Sequence, residues 1–479
     1  MIPFVATASD AMRISRTFHA RRRNLLDVVK ANRGTAMSST AFPKRHTGCA
    51  IALLAAVASF PVVSHAATRL VTNCASGGAG SLRNAVASAA DGDLVDMSRL
   101  QCVGISLAGA QIEVPQNNLR VIGRYNLFLN GQQTSRIFHH SGTGTLRLER
   151  INMRNGFHTD ALATGGCVHS DGTLEIVSSI VDTCRTFAAG DPEMSMGGAL
   201  YARNLLVSHS QLSNHRADDS FMDRYSGRHG GAIASPGHVT VYRSVISNSN
   251  ARLGGGIYAE GGVTITYSTL WNNSAHRSGA GVEVVGGHVT INKSTFAYNY
   301  SSYRCGAVCA STSEWTHISD STFSHNYSTF FAAGELSDDA LITNSTIAFN
   351  NSGSSNECVG VIQAKRLELQ SSILASNTCY ANLPPYDLGG RSWEGYTVRG
   401  ANNLIGRSHV PVPADTIRTD AGLDPALANN GGPTDVHALL ATSPGIDKGN
   451  NVLNRQFDQR GTGYPRVRGL RADIGAFER

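Results

Sequence analysis

The chain has 479 residues, 50 of them glycine, with 16% charged residues and a formal net charge of +6. That length holds a large core or several domains, and glycine beside abundant Ser, Thr and Asn suits strands and turns better than helices. The basic charge belongs to residues 1–66, which hold nine Lys and Arg against two Asp and Glu; the rest carries 32 basic against 33 acidic residues, so no basic stripe for nucleic acid is expected.

The first segment reads as an export leader. Lys44 and Arg45 precede an apolar run, GCAIALLAAVASFPVV (48–63), and Ser64-His65-Ala66 forms a small-x-small cleavage site, so the mature chain starts at Ala67. The run has 16 residues and contains Pro61, while a membrane span needs about 20. No transmembrane segment is therefore expected in the mature chain. Residues 1–36, with Arg13, Arg16, Arg21, Arg22, Arg23, Lys30 and Arg33, read as an extension upstream of a start at Met37, leaving 37–66 as the signal peptide. Eight cysteines follow the leader, and an even count in an exported chain predicts disulfides. Proximity suggests Cys74–Cys102, Cys167–Cys184 and Cys358–Cys379. Cys305 and Cys309 are not expected to pair, because on an extended strand their Cα atoms stand ~13 Å apart. A metal site is the rival use for them, although no CxxC accompanies them.

Residues 67–135 read as an N-terminal cap and first coils, and 136–380 as a repeat. The repeat shows in LLVSHSQLSNH (205–215), VTVYRSVISNS (239–249), VTITYSTLWNN (263–273), VTINKSTFAYN (289–299) and ALITNSTIAFN (340–350). Its anchors are Ile151, Ser179, Ser210, Ser244, Ser268, Ser294, Ser321, Ser345 and Ser372, spaced 24 to 34 residues apart. Three residues before each anchor stands an aliphatic residue, from Leu148 to Leu369; two after stands an apolar one, from Met153 to Leu374. The columns five and three before the anchor differ by the strand period of two, so each short strand buries one face. A period in this range means a solenoid, propeller or array. Propeller blades are longer and the leucine-rich consensus is absent, which leaves a right-handed parallel β-helix. Nine coils at the strand spacing of ~4.8 Å give a rod of roughly 40 Å.

Turn chemistry follows the same period. Asn273, Asn299, Asn326, Asn350 and Asn377 stand five after their anchors; Asn tolerates the left-handed region and bonds along stacked ladders. The pairs Gly165-Gly166, Gly197-Gly198, Gly230-Gly231 and Gly254-Gly255 suit turns that need positive φ. SLRNAVASAA (81–90) reads as a short amphipathic helix with Leu82, Ala85, Val86 and Ala89 on one side, placed to cover the open edge of the first coil. Residues 381–479 are turn-rich and read as a loop-rich segment packed on the last coils.

The coils resemble polymorphic outer-membrane-protein repeats in Gly230-Gly231-Ala232-Ile233, Phe296-Ala297-Tyr298-Asn299 and Phe323-Ser324-His325-Asn326, and pectin-lyase-like β-helices in general. GSLRNAVASAADGDLVDMS (80–98) resembles the segment of secreted β-helix proteins known by the CSLREA signature, with Gly80 at the name-giving Cys and Asn84 at the acidic position. NNLIG (402–406), LDPALANNGGPTDVHALLATSPGIDKGN (423–450), DQRG (458–461) and DIGAFE (473–478) are similar to the choice-of-anchor Q domain. The resemblance implies an exported protein, some relatives being surface-attached. With no anchor after that motif, release or non-covalent surface association is expected.

No nucleophile elbow, HExxH, P-loop, calcium repeat or EF-hand loop occurs. The two longest spacings place insertions at 185–196 and 216–229, and loops on a rigid scaffold often carry function. The second holds Asp218, Asp219, Asp223, Arg224, Arg228 and His229. Its carboxylates could hold Ca²⁺ or share acid–base work in glycoside hydrolysis, and an Arg could abstract a proton as in β-helix lyases. Asp424, His437, Asp447, Asp458 and Asp473 stand in turn-like runs and read as turn and cap groups. The first functional reading is a secreted or cell-surface protein that binds a glycan or surface partner without catalysis and without a cofactor. The second is a polysaccharide lyase or glycoside hydrolase acting on an acidic polysaccharide. Carboxylates and arginines converging from several coils on one groove would favour the second, scattered ones the first.

Overall fold

The computed structural model describes residues 66–189, 194–219, 227–353, 360–379, 386–389 and 396–479. These form an all-β, right-handed parallel β-helix of about 11 turns. Each coil contributes strands to three sheets. The first has 21 strands, because most coils lend it two; the second and third have 12 each. The predicted columns are the observed register. Leu146, Leu174, Leu205, Val239, Val263 and Val289 pair in succession along the first sheet, and Val181, Leu212, Ile246, Leu270, Phe296 and Phe323 along the second. All are buried in one continuous core. Each such side chain contributes about 1.5–3 kcal/mol, and no coil could bury it alone.

Two corners of the coil are ladders. Each anchor serine accepts the backbone N–H of the anchor before it, as in Ser244 N to Ser268 Oγ at 3.1 Å and Ser268 N to Ser294 Oγ at 3.1 Å. At the other corner Asn273 N and Nδ2 both donate to Asn299 Oδ1, and this repeats through Asn326, Asn350 and Asn377 to Asp387. The asparagines are not themselves left-handed. The positive φ falls one residue earlier, on Asn272, Tyr298, His325, Phe349 and Ser376. The Asn side chain is thus free to hold the ladder while its neighbour makes the bend. The third corner behaves as expected: Gly165, Gly197, Gly230 and Gly254 have φ of 53°, 64°, 68° and 65°, and a Cβ at Gly230 would lie 2.0 Å from the Ile233 carbonyl oxygen.

Three expectations are corrected. Cys305 and Cys309 form a disulfide with Cα atoms 5.4 Å apart. Cys305 occupies that same third corner, with φ 53°, so the chain bends between the two cysteines and the extended-strand distance does not apply. The disulfide also removes the metal reading for the pair. The two insertions are not loops throughout: they open and close as strands of the third sheet, Arg185–Ala188 with Met194–Met196 and Arg216–Asp219 with Gly227–His229. The stack also runs past residue 380, through Thr397–Ala401 and Leu404–Ile405. Cys74–Cys102 and Cys167–Cys184 are disulfides; Cys379 is also disulfide-bonded, and Cys358 lies outside the described residues.

The helix Leu82–Ala87 lies at the N-terminal end, capped by Ser81 and burying Leu82, Ala85 and Val86. From residue 406 onward the chain makes only isolated bridges and packs along the second sheet. Gln459 Nε2 donates to Thr295 Oγ1 at 3.0 Å and its Oε1 accepts from Thr322 Oγ1 at 2.7 Å. His437 Nε2 meets Ser324 Oγ at 2.7 Å, and Ala476 N donates to Thr346 Oγ1 at 3.1 Å. Beneath this cover Arg466 is wholly buried, bonded to the Gly475 and Asp473 carbonyls and to Glu478.

Candidate functional site

The C-terminal segment covers the second sheet along the coils of Thr295, Thr322 and Thr346, while Ile180 and Val245 on its earlier coils are exposed; the outer faces of the first and third sheets are also open to a ligand. On the third sheet the strands Arg185–Ala188, Arg216–Asp219, Asn250–Leu253, Ser274–Ser278 and Tyr300–Arg304 pair in that order. Parallel register brings equivalent positions side by side: Arg185, Arg216, Asn250, Ser274 and Tyr300 form one column. Neighbouring strands lie ~4.8 Å apart, so two guanidinium groups stand next to each other. That arrangement needs a counter-charge, and Asp218 supplies it. Its side chain is 6% exposed and ion-pairs with Arg185 Nε at 2.7 Å and with Arg216 Nε, whose side chains are 48% and 61% exposed. The carboxylate fixes both forks from below while they face solvent. Arg185 also lies over the Phe187 ring, 5.4 Å from its centroid.

These groups line an open groove of about 510 Å³, together with Arg228, Ala251, Ala275, His276 and Ser302. Tyr300 closes one end, stacked on Tyr327 with ring centroids 5.0 Å apart. The structure thus brings Asp218 and Arg228 to one groove. His229 turns the other way, half-buried and stacked on Tyr258 at 4.4 Å, and desolvation pulls its imidazole down to about 4. Asp219 ends its strand, and its side chain, with Asp223 and Arg224, lies outside the described residues. Sequence reasoning missed Arg185, Arg216, His276 and Tyr300. Arg185, Arg216, Asn250, Ser274 and Tyr300 each stand six residues after their anchor, so the column was written in the repeat.

The first sheet carries a column of outward groups: Glu113, His139, His169, Tyr201, Ala234, Tyr258, Glu283, Cys309 and Glu335 pair in succession. Burial pushes the Glu283 carboxyl up to about 7 and also raises Glu260. Further along, a groove of about 470 Å³ is lined by Trp315, His317, Leu341 and the Arg366–Asp339 ion pair; Trp315 is 44% exposed and stacks on His288 at 4.6 Å. The aspartates of the C-terminal motifs do turn work. Asp473 accepts from Asp447 N and Arg479 N, both at 2.8 Å, Asp424 from Ala426 N at 2.9 Å, and Asp458 from Arg460 N and Glu478 N at 2.8 and 2.9 Å.

No protein-family model matches the chain, and no curated protein matches it in sequence. Among solved structures it is similar to the crystal structure of pectate lyase Pel9A, at 12% identity over 87% of this chain and 98% of that one, with a TM-score of 0.37. A likeness at that level locates no site and assigns no activity.

Proposed function

We propose that the protein is exported and holds an anionic polysaccharide along the arginine groove of the third sheet, as a binding protein rather than an enzyme. The observation that carries this is the pair of exposed guanidinium groups held side by side over buried Asp218. Planar forks fixed in advance recognise carboxylates bidentately and lose little freedom on binding. The groove is open and crosses successive coils, which fits a polymer, and Tyr300 offers a sugar ring an apolar face. Asp218 is committed to two arginines, which leaves it no role as a Ca²⁺ ligand or general base in this arrangement. Export is supported by the leader-like segment and by the disulfides. The CSLREA and choice-of-anchor Q resemblance, carried by the motifs quoted above, agrees with a surface or released protein.

The test is titration calorimetry with polygalacturonate, alginate and a neutral glucan, followed at 235 nm. Uronate polymers should bind, more weakly as salt rises, and the neutral glucan should not. Absence of binding to every uronate polymer would overturn the reading. Absorbance that rises in the wild type and not in Arg228→Ala would replace it with a lyase, and new reducing ends without absorbance would replace it with a hydrolase.

A further inference from the structure

At the N-terminal end of the outward column on the first sheet, a ring nitrogen of His139, a ring nitrogen of His169 and a carboxylate oxygen of Asp171 lie within 4.8 Å of one another. The fold makes this cluster. His139 and His169 are register partners on neighbouring strands, and Asp171 follows His169 by two residues, on the same face. We infer that these three side chains bind a transition-metal ion of the zinc type.

Three observations support this. The set is two imidazoles and one carboxylate, a donor combination that suits Zn²⁺, Ni²⁺ or Cu²⁺ better than Mg²⁺ or Ca²⁺. Both histidines are oriented from behind, as metal-binding histidines are: His139 Nδ1 meets Glu113 Oε2 at 2.8 Å, and His169 Nδ1 meets Thr164 Oγ1 at 2.7 Å. His169 Nε2 and Asp171 Oδ1 are already 3.0 Å apart, near the ligand separation of about 3.4 Å that bonds of about 2.1 Å require in a tetrahedral site. The remaining closure falls to His139, whose side chain is 30% exposed. The nearby Arg136 guanidinium opposes a cation, but it is tied to the Gly165 and Thr164 carbonyls and to Gln111, and Glu113, Asp160 and Asp171 surround it with negative charge. Three protein ligands leave the fourth position facing solvent, the pattern of an open rather than a structural site.

The competing account is a plain aromatic ladder, since His169 also stacks on Tyr201 at 5.2 Å. Equilibrium dialysis of untagged protein against Zn²⁺, with metal analysis and a parallel Co²⁺ spectrum, separates the two. A single tightly held ion is expected, with visible Co²⁺ bands of a four-coordinate nitrogen and oxygen site. His139→Gln and His169→Ala should abolish it, Thr164→Val should weaken it by about tenfold, and His276→Ala, in the third-sheet groove, should leave it unchanged. His139→Gln, at a partly exposed position, keeps the test open should His169→Ala fail to fold. No bound ion, or equal binding in the wild type and His139→Gln, would leave only the ladder.

Discussion

The second and third sheets are made by the same repeat, yet the outer face of the second along its later coils and that of the third along the earlier ones have opposite fates. Along the later coils the outward positions of the second sheet are small and hydroxylic: Thr295, Thr322, Ser324 and Thr346 are buried under the C-terminal segment and hydrogen-bond to it, whereas Ile180 and Val245 on the earlier coils stay exposed. Outward positions of the third sheet are Arg185, Arg216 and Tyr300, and they face solvent in a groove. Small residues on a regular strand leave room for another piece of chain to dock with all its polar groups paired. Long charged residues fill that room and keep the face open. A solenoid can therefore assign cover to one face and ligand to another simply by what it places at one column.

The covered face should be the one that governs stability. Arg466 is wholly buried, and its guanidinium bonds to two carbonyls and to the Glu478 carboxylate. Arg466→Ala strands that carboxylate and opens a cavity, which should cost about 3–5 kcal/mol and lower the midpoint of chemical denaturation, with polyuronate binding unaltered wherever the protein is folded. A loss below about 1 kcal/mol would mean that the fold of the segment does not depend on this buried pair.

The first sheet gives a pH-dependent contrast. Glu283 is 5% exposed, and burial raises it from 4.5 to about 7. The folded chain then holds a proton there that the unfolded chain has released, so stability falls as pH rises from about 4.5 to 7 and levels off above. The shift corresponds to on the order of 3 kcal/mol. Glu283→Gln removes this penalty. Its melting temperature should exceed that of the wild type at pH 8 and match it at pH 4, and parallel curves across that range would refute the assignment.

The interior was legible because it repeats. A period of two inside a longer one fixed which residues of 205–215 or 289–299 point inward, and the pairing follows residue by residue. The corners were only half legible. Glycine advertises positive φ, but Tyr298, His325, Phe349 and Cys305 adopt it too; for the first three the ladder bonds of the next residue offset the local cost. Nothing in those side chains announces it, and so the Cys305–Cys309 pair was read as too far apart. The groove was hidden differently. Asp218 and Arg228 stood out because they sat in a long insertion, whereas Arg185 lies a coil away and becomes their neighbour only when the register is applied. The docking of 406–479 on the second sheet had no periodic signal, since it is made by single contacts such as Gln459 to Thr322.

The open face should show the reverse of the covered one: little for stability, much for binding. Arg216 has a side chain 61% exposed, and exposed ion pairs contribute at most about 1 kcal/mol. Arg216→Ala should thus melt within a few degrees of the wild type. Its loss from the groove removes one of two adjacent forks and leaves Asp218 a single partner, which pulls Arg185 further into its own ion pair and away from ligand. Affinity for polygalacturonate should fall about tenfold, equal to about 1.4 kcal/mol, and the deficit should shrink as added salt screens what remains. Arg216→Lys keeps the charge and loses the fork. If it binds like the wild type, the groove reads only charge; if it binds like Arg216→Ala, geometry set by Asp218 is what the polymer meets.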